Sequence, residues 1–130
     1  MDPVAHFEMP YEDKKRMADF YRKAFGWKTE ELGPEMGNYV IATTSETDEN
    51  KTPVRRGNIN GGFFEKSEMG RHPNVVVVVK DIADSIKKIN EAGGKVLGEP
   101  MEIPGIGRYV SFRDTEGNRN AVMQPFREMK

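Results

Sequence analysis

Cysteine is absent from this 130-residue chain, so disulfides and thiolate chemistry play no part in it. Its longest apolar run, Val75 to Val79, is far shorter than the roughly 20 residues that cross a bilayer as a helix. Neither sign of charge dominates: 20 basic and 21 acidic side chains are mixed along the chain and leave a net charge of −1. A basic stripe of the kind that grips a polyanion is missing, and Arg55-Arg56 reads as a solvated loop, so no nucleic-acid partner is expected. The start, Met1-Asp2-Pro3-Val4, has neither the basic nor the apolar segment of a secretory signal. With no cysteine and no apolar span, a cytoplasmic protein without membrane contact is the expectation. Gly-x-Ser-x-Gly, Walker and zincin patterns are also missing.

What is present is a sequence written twice. Asp13 and Phe25-Gly26 return 68 positions later as Asp81 and Gly93-Gly94, and Gly37-Asn38-Tyr39-Val40 returns at 70 as Gly107-Arg108-Tyr109-Val110. Gly57-Asn58-Ile59-Asn60 returns at 60 as Gly117-Asn118-Arg119-Asn120. The landmarks keep their order while the spacers change length. Such a duplication predicts one domain over residues 1–130, with a first module at about 4–66, a second at about 72–126, and a cleft between related faces.

The periodicities give each module the order βαβββ, an α+β fold. Val4 to Met9 alternates, placing Val4, His6 and Glu8 on one face and Ala5, Phe7 and Met9 on the other, and Pro10 is expected to end the strand. Met17, Phe20, Tyr21, Ala24 and Phe25 form a helical stripe that Gly26 closes. Strands follow at Trp27–Leu32, Asn38–Thr43 and Ile59–Phe64. In the second module, Asn74–Val79 reads as a buried strand and Asp81 as the cap of a helix carrying Ile82, Ile86 and Ile89. Short strands are expected around Lys95–Leu97, Gly107–Arg113 and Asn118–Gln124. The polar segment Thr43–Gly57 is expected to be a mobile loop, with a lid as the alternative. One helix covers one face of each module's strands and leaves the other, with His6 and Glu8, for a ligand or the twin module.

Several segments carry a family likeness: Ala18-Asp19-Phe20-Tyr21-Arg22-Lys23-Ala24-Phe25-Gly26-Trp27, Val79-Lys80-Asp81-Ile82, Glu91-Ala92-Gly93-Gly94-Lys95-Val96, Ile103-Pro104-Gly105-Ile106-Gly107-Arg108 and Asp114-Thr115-Glu116-Gly117-Asn118. In this order they resemble the vicinal oxygen chelate superfamily of glyoxalases, bleomycin-resistance proteins and extradiol dioxygenases, most of all its small glyoxalase-like branch. The resemblance implies two βαβββ modules in an open, cupped, eight-stranded sheet. It also implies a small-molecule partner, a homodimer, and metal ligands on the first and fourth strands of each module. Here those four positions fall on His6, Gly61, Asn74 and Ala121, which include too few donors for the family's metal site, so no metal or other cofactor is expected.

His6 can be read as a remnant ligand, a neutral general base, or a polar residue filling the sheet interior. Glu8 shares its face, either orienting it, acting as acid or base, or facing water at the rim. The candidate catalytic pair is therefore His6 and Glu8. The candidate ligand-lining set is His6, Gly61, Phe63, Asn74, Val76, Tyr109, Ala121 and Met123. Tyr39 and Tyr109, related by the repeat, could stack on a ligand or simply pack. Two functions follow: binding of a small oxygen-rich molecule without the family's metal, or a lactoylglutathione-lyase-related lyase or isomerase reaction through His6 and Glu8.

Overall fold

Two aspartates open the two helices of this computed structural model, which describes residues 1–50 and 53–126. The Asp13 carboxylate accepts from the Arg16 N–H at 3.1 Å and starts α1 (Lys14–Phe25); Asp81 accepts from the Asp84 N–H at 3.2 Å and starts α2 (Ile82–Glu91). Each cap satisfies a helix-end donor and is worth about 1 kcal/mol. Gly26, at φ +74°, takes the left-handed turn that ends α1 and lets its N–H reach the Arg22 carbonyl at 2.9 Å.

The strands are β1 (Val4–Tyr11), β2 (Lys28–Glu31), β3 (Val40–Thr43), β4 (Asn60–Glu65), β5 (Asn74–Val78), β6 (Lys95–Ile103), β7 (Gly107–Arg113) and β8 (Arg119–Pro125). They form one mixed sheet in the order β2-β3-β4-β1-β5-β8-β7-β6, so each repeat does read βαβββ. The first and last strands of each repeat run parallel, β1 with β4 and β5 with β8, while β2 with β3, β3 with β4, β6 with β7 and β7 with β8 are antiparallel. The chain divides into one compact unit of His6–Pro73 and another of residues 1–5 with the chain from Asn74 onward. Within the second of these, the Pro3 carbonyl accepts from the Val78 N–H at 2.9 Å.

Two elements run further than their sequence suggested. β1 continues through Pro10 to Tyr11, whose buried side chain joins the first core and whose carbonyl accepts from the Lys66 N–H at 2.9 Å. Burial of Tyr11 outweighs the one donor that Pro10 lacks. β6 extends to Ile103 by way of an irregularity between Leu97 and Met101, where Gly98 sits at φ +85°. Within Thr43–Gly57, Thr47 and Pro53 form an isolated antiparallel bridge; residues 51–52 lie outside the described part.

The first unit's core is Tyr11, Val40, Ala42 and Phe63, with Phe7, Met9, Met17, Tyr21 and Trp27 packed around it. Tyr21 stacks on Trp27 at 4.5 Å between ring centroids, and Phe63 is fully buried beside both. Burial of one such ring is worth roughly 1.5–3 kcal/mol. The second unit's core is Val79, Ile82, Val110 and Val122, joined by Val77, Ile86, Ile89, Val96 and Phe112. No described helix is long and apolar enough to cross a membrane.

Candidate functional site

Period two on β1 sends Phe7, Met9 and Tyr11 into the first core and His6 and Glu8 to the opposite face. On β3, Val40 and Ala42 belong to that core, so Tyr39, just before the strand, faces the same way as His6. Between β3 and β1 lies β4, and Glu8 is in register with Gly62. A Cβ at Gly62 would overlap the Tyr39 phenol, so the missing side chain is what lets Tyr39 lie across β4 and reach β1.

There its hydroxyl donates to Glu8 Oε2 at 2.9 Å and lies 3.2 Å from His6 Nε2. Glu8 is only 8% exposed. Its carboxylate gains a charge-assisted hydrogen bond where water is scarce. Burial also lowers the His6 pKa from 6.5 to about 4, so the imidazole is neutral at pH 7. With the Tyr39 proton committed to Glu8, His6 Nε2–H donates to the phenol oxygen and Nδ1 carries the lone pair. A neutral imidazole, a phenol and a buried carboxylate thus form one chain of polar groups.

The candidate pair His6 and Glu8 is therefore brought together, through Tyr39. Gly61 and Phe63 are not brought to it. Phe7 is in register with Gly61, a Cβ at Gly61 would strike the Phe7 ring, and Phe63 is wholly buried in the core. Both lie on the helix-facing side, opposite His6. The repeat offset of 60 explains the misplacement. Val40 pairs with Phe63, and its counterpart Val110 pairs with Val122, an offset of 59 on the fourth strand. Gly62, and not Gly61, corresponds to Ala121, and a one-residue slip turns every side chain of a strand to its other face.

In the second unit the expected residues do share a face. Val76 is in register with Ala121, Val78 with Met123, and Met123 with Tyr109, while Val77, Val110 and Val122 occupy the α2 side. Asn74, two residues before Val76, belongs to the same α2-free face. Sequence reasoning missed Gly62, Arg119 and Ser111, and left Tyr39 outside the candidate ligand-lining set. Period two from Ala121 would have reached Arg119, but nothing local marks Gly62 as the place where a phenol passes.

The residues present do not fit the family's metal. Among the described residues no group of three or more His, Asp or Glu side chains could hold an ion. His6 and Glu8 supply two donors, Gly61 faces the core, and Ala121 has no donor atom. A catalytic zinc site uses three protein ligands. An open depression of about 390 Å³ borders Tyr11, Asp13, Arg16, Met17, Phe20 and Lys66 and shares no residue with the polar chain.

Comparison with known proteins agrees with this architecture. The family model described as Glyoxalase/Bleomycin resistance protein/Dioxygenase superfamily matches residues 4–122. A lactoylglutathione lyase of Oryza sativa subsp. japonica is 29% identical over 123 residues, covering 89% of this chain and 42% of the relative. The anthracycline biosynthesis protein DnrV of Streptomyces peucetius is 30% identical over 126 residues, covering 91% and 45%. The chain thus spans less than half the length of these relatives. Among solved structures, a Streptomyces coelicolor methylmalonyl-CoA epimerase in complex with 2-nitronate-propionyl-CoA superposes with a TM-score of 0.70 at 15% identity, covering 98% of this chain and 97% of the other, a likeness of fold. A hypothetical protein of Bacillus halodurans superposes with a TM-score of 0.68 at 14% identity, covering 99% and 98%. The chain belongs to the Glyoxalase/Bleomycin resistance protein/Dioxygenase superfamily.

Proposed function

We propose that this chain binds a small oxygen-rich molecule on the β1–β4–β3 face of its first unit, through His6, Glu8 and Tyr39 and without the family's metal. The observation that carries this reading is the His6–Tyr39–Glu8 chain laid over Gly62. A purely structural sheet face would be filled by apolar side chains, because each buried polar group costs free energy unless it is paired. Here a histidine, a phenol and a carboxylate are gathered, and a glycine is spent on letting them meet. Neutral His6 offers a lone pair at Nδ1 to a ligand hydroxyl, and Tyr39 holds the ring in that tautomer.

The second reading is a lyase or isomerase reaction, and the lowered His6 pKa favours it. An imidazole neutral at pH 7 is a general base in its working form, and Tyr39 links it to a carboxylate that stabilises the imidazolium formed on proton uptake. Relatives named as a lyase and an epimerase make proton-transfer chemistry a reasonable companion to binding. A cytoplasmic homodimer belongs to the same proposal.

The test is an NMR screen of small hydroxy-acids and hydroxy-ketones against the full chain, repeated with His6→Ala and Glu8→Gln. Hits that perturb β1 and β4 and vanish in both variants support the reading. Hits that persist unchanged in both variants overturn it. Turnover of a hit, lost in His6→Ala, selects the second reading.

A further inference from the structure

We infer that the α2-free face of the second unit carries a site for a phosphate-like oxyanion, built on a cross-strand row of Lys95, Arg113 and Arg119. Lys95 is in register with Arg113 across β6 and β7, and Arg113 with Arg119 across β7 and β8. Val96, Phe112 and Val122 point to α2, so by alternation the three cations share the other face. They span two strand spacings, roughly 10 Å. Like charges directly opposite one another on a sheet repel.

Among the described residues, none of the three forms an ion pair with a carboxylate. The acid next in sequence, Asp114, is occupied by its own turn, where it accepts from the Asn118 and Glu116 N–H groups and the Asn118 amide, each at 2.9 Å. Arg113 Nη1 donates to the Gly117 carbonyl at 3.2 Å, and Arg119 Nη2 lies at the limiting distance of 3.5 Å from Ser111 Oγ.

Two buried atoms on this face have no hydrogen-bond partner: Arg119 Nη1 and Asn74 Oδ1. The register of Val76 with Ala121, taken two residues back along these parallel strands, sets Asn74 beside Arg119. An unpaired guanidinium N–H and an unpaired amide oxygen on adjacent strands, beside a row of cations, suit a species that accepts from the first and donates to the second. Hydrogen phosphate does both, as does the phosphate-monoester end of a small molecule. Its oxygens take the Arg119 fork and the Lys95 ammonium, its hydroxyl meets Asn74 Oδ1, and Ser111 donates from the side. Asn74 belongs to the ligand-lining set expected from the sequence, but none of these residues takes part in the His6–Tyr39–Glu8 chain, so variants at the two places test the two readings separately.

The experiment is a titration of the full chain with inorganic phosphate at constant ionic strength, chloride making up the balance, read by amide chemical shifts and by melting temperature. Saturable shifts at Asn74, Arg113, Arg119 and Asn120, a rising melting temperature, and an affinity at least about ten-fold weaker in Arg119→Gln are expected. Asn74→Asp places a carboxylate beside the guanidinium. It should raise the melting temperature in the absence of phosphate and abolish the phosphate response, a combination that an unfolded variant cannot give. Shifts that grow linearly with concentration, or an Arg119→Gln or Asn74→Asp protein that binds phosphate like the parent, would overturn the inference.

Discussion

Tyr39 crosses β4 only because residue 62 is glycine: a methyl group there would occupy the space of the phenol ring and hydroxyl. Gly62→Ala should therefore cost about 1–3 kcal/mol of stability, the usual penalty for overfilling a packed position. In Tyr39→Ser, which removes the ring, the same glycine change should cost much less. Chemical denaturation of the two single variants and the double variant measures the coupling, and simple additivity would refute the account.

Tyr39→Phe keeps the ring and deletes the hydroxyl, so Glu8 loses a 2.9 Å donor and His6 Nε2 loses its acceptor. A loss of about 1–3 kcal/mol is expected, the usual worth of a hydrogen bond to a charged group. Equal stability of Tyr39→Phe and the parent would remove the chain from any structural role.

Acid should expose His6. Its pKa is about 4 in the folded protein, below the 6.5 of the free side chain. Between these values the unfolded chain binds more protons, so the contribution is fully present above about pH 6.5 and is lost as pH falls towards 4. Its ceiling is roughly 3 kcal/mol, at 1.36 kcal/mol per pKa unit. Carboxylates titrate in the lower part of this range, so the measured quantity is the difference in pH-dependent stability between the parent and His6→Gln. The parent should lose more stability between pH 6.5 and 4, and parallel curves would contradict the burial of His6.

Tag-free purified protein should carry no stoichiometric transition metal, and a chelator should barely move its melting temperature. A tightly held ion would stabilise the folded chain by mass action, and stripping it would lower melting by several degrees. One nickel, zinc, iron or manganese per chain that survives dialysis and disappears in His6→Ala would contradict this and make His6 a metal ligand.

β2 and β6 end the strand order, and among the described residues each has one edge without a neighbouring strand of this sheet. Unpaired edges invite cover. Light scattering should accordingly give about twice the chain mass of 14.8 kDa, and the single-chain mass at high concentration would contradict the homodimer.

Much of the fold was legible in the residues. Asp13 and Asp81 mark the helix starts and Gly26 the end of α1, because caps and left-handed turns are local chemistry that spacing reveals. Alternation along Val4–Met9 placed His6 and Glu8 together on the face away from the helix, and the repeated landmarks gave two βαβββ units. Register was beyond reach. Gly57 and Gly117 both turn at φ +85°, yet β4 begins at Asn60 and β8 at Arg119, three residues and two residues later. That single residue turns Gly61 and Phe63 into the core and leaves Gly62 beneath Tyr39. It also leaves Arg119 beside Asn74 on the second unit's α2-free face. Which face a strand residue takes depends on pairing with strands distant in sequence and on which side chains the core can bury, so only the tertiary structure decides it.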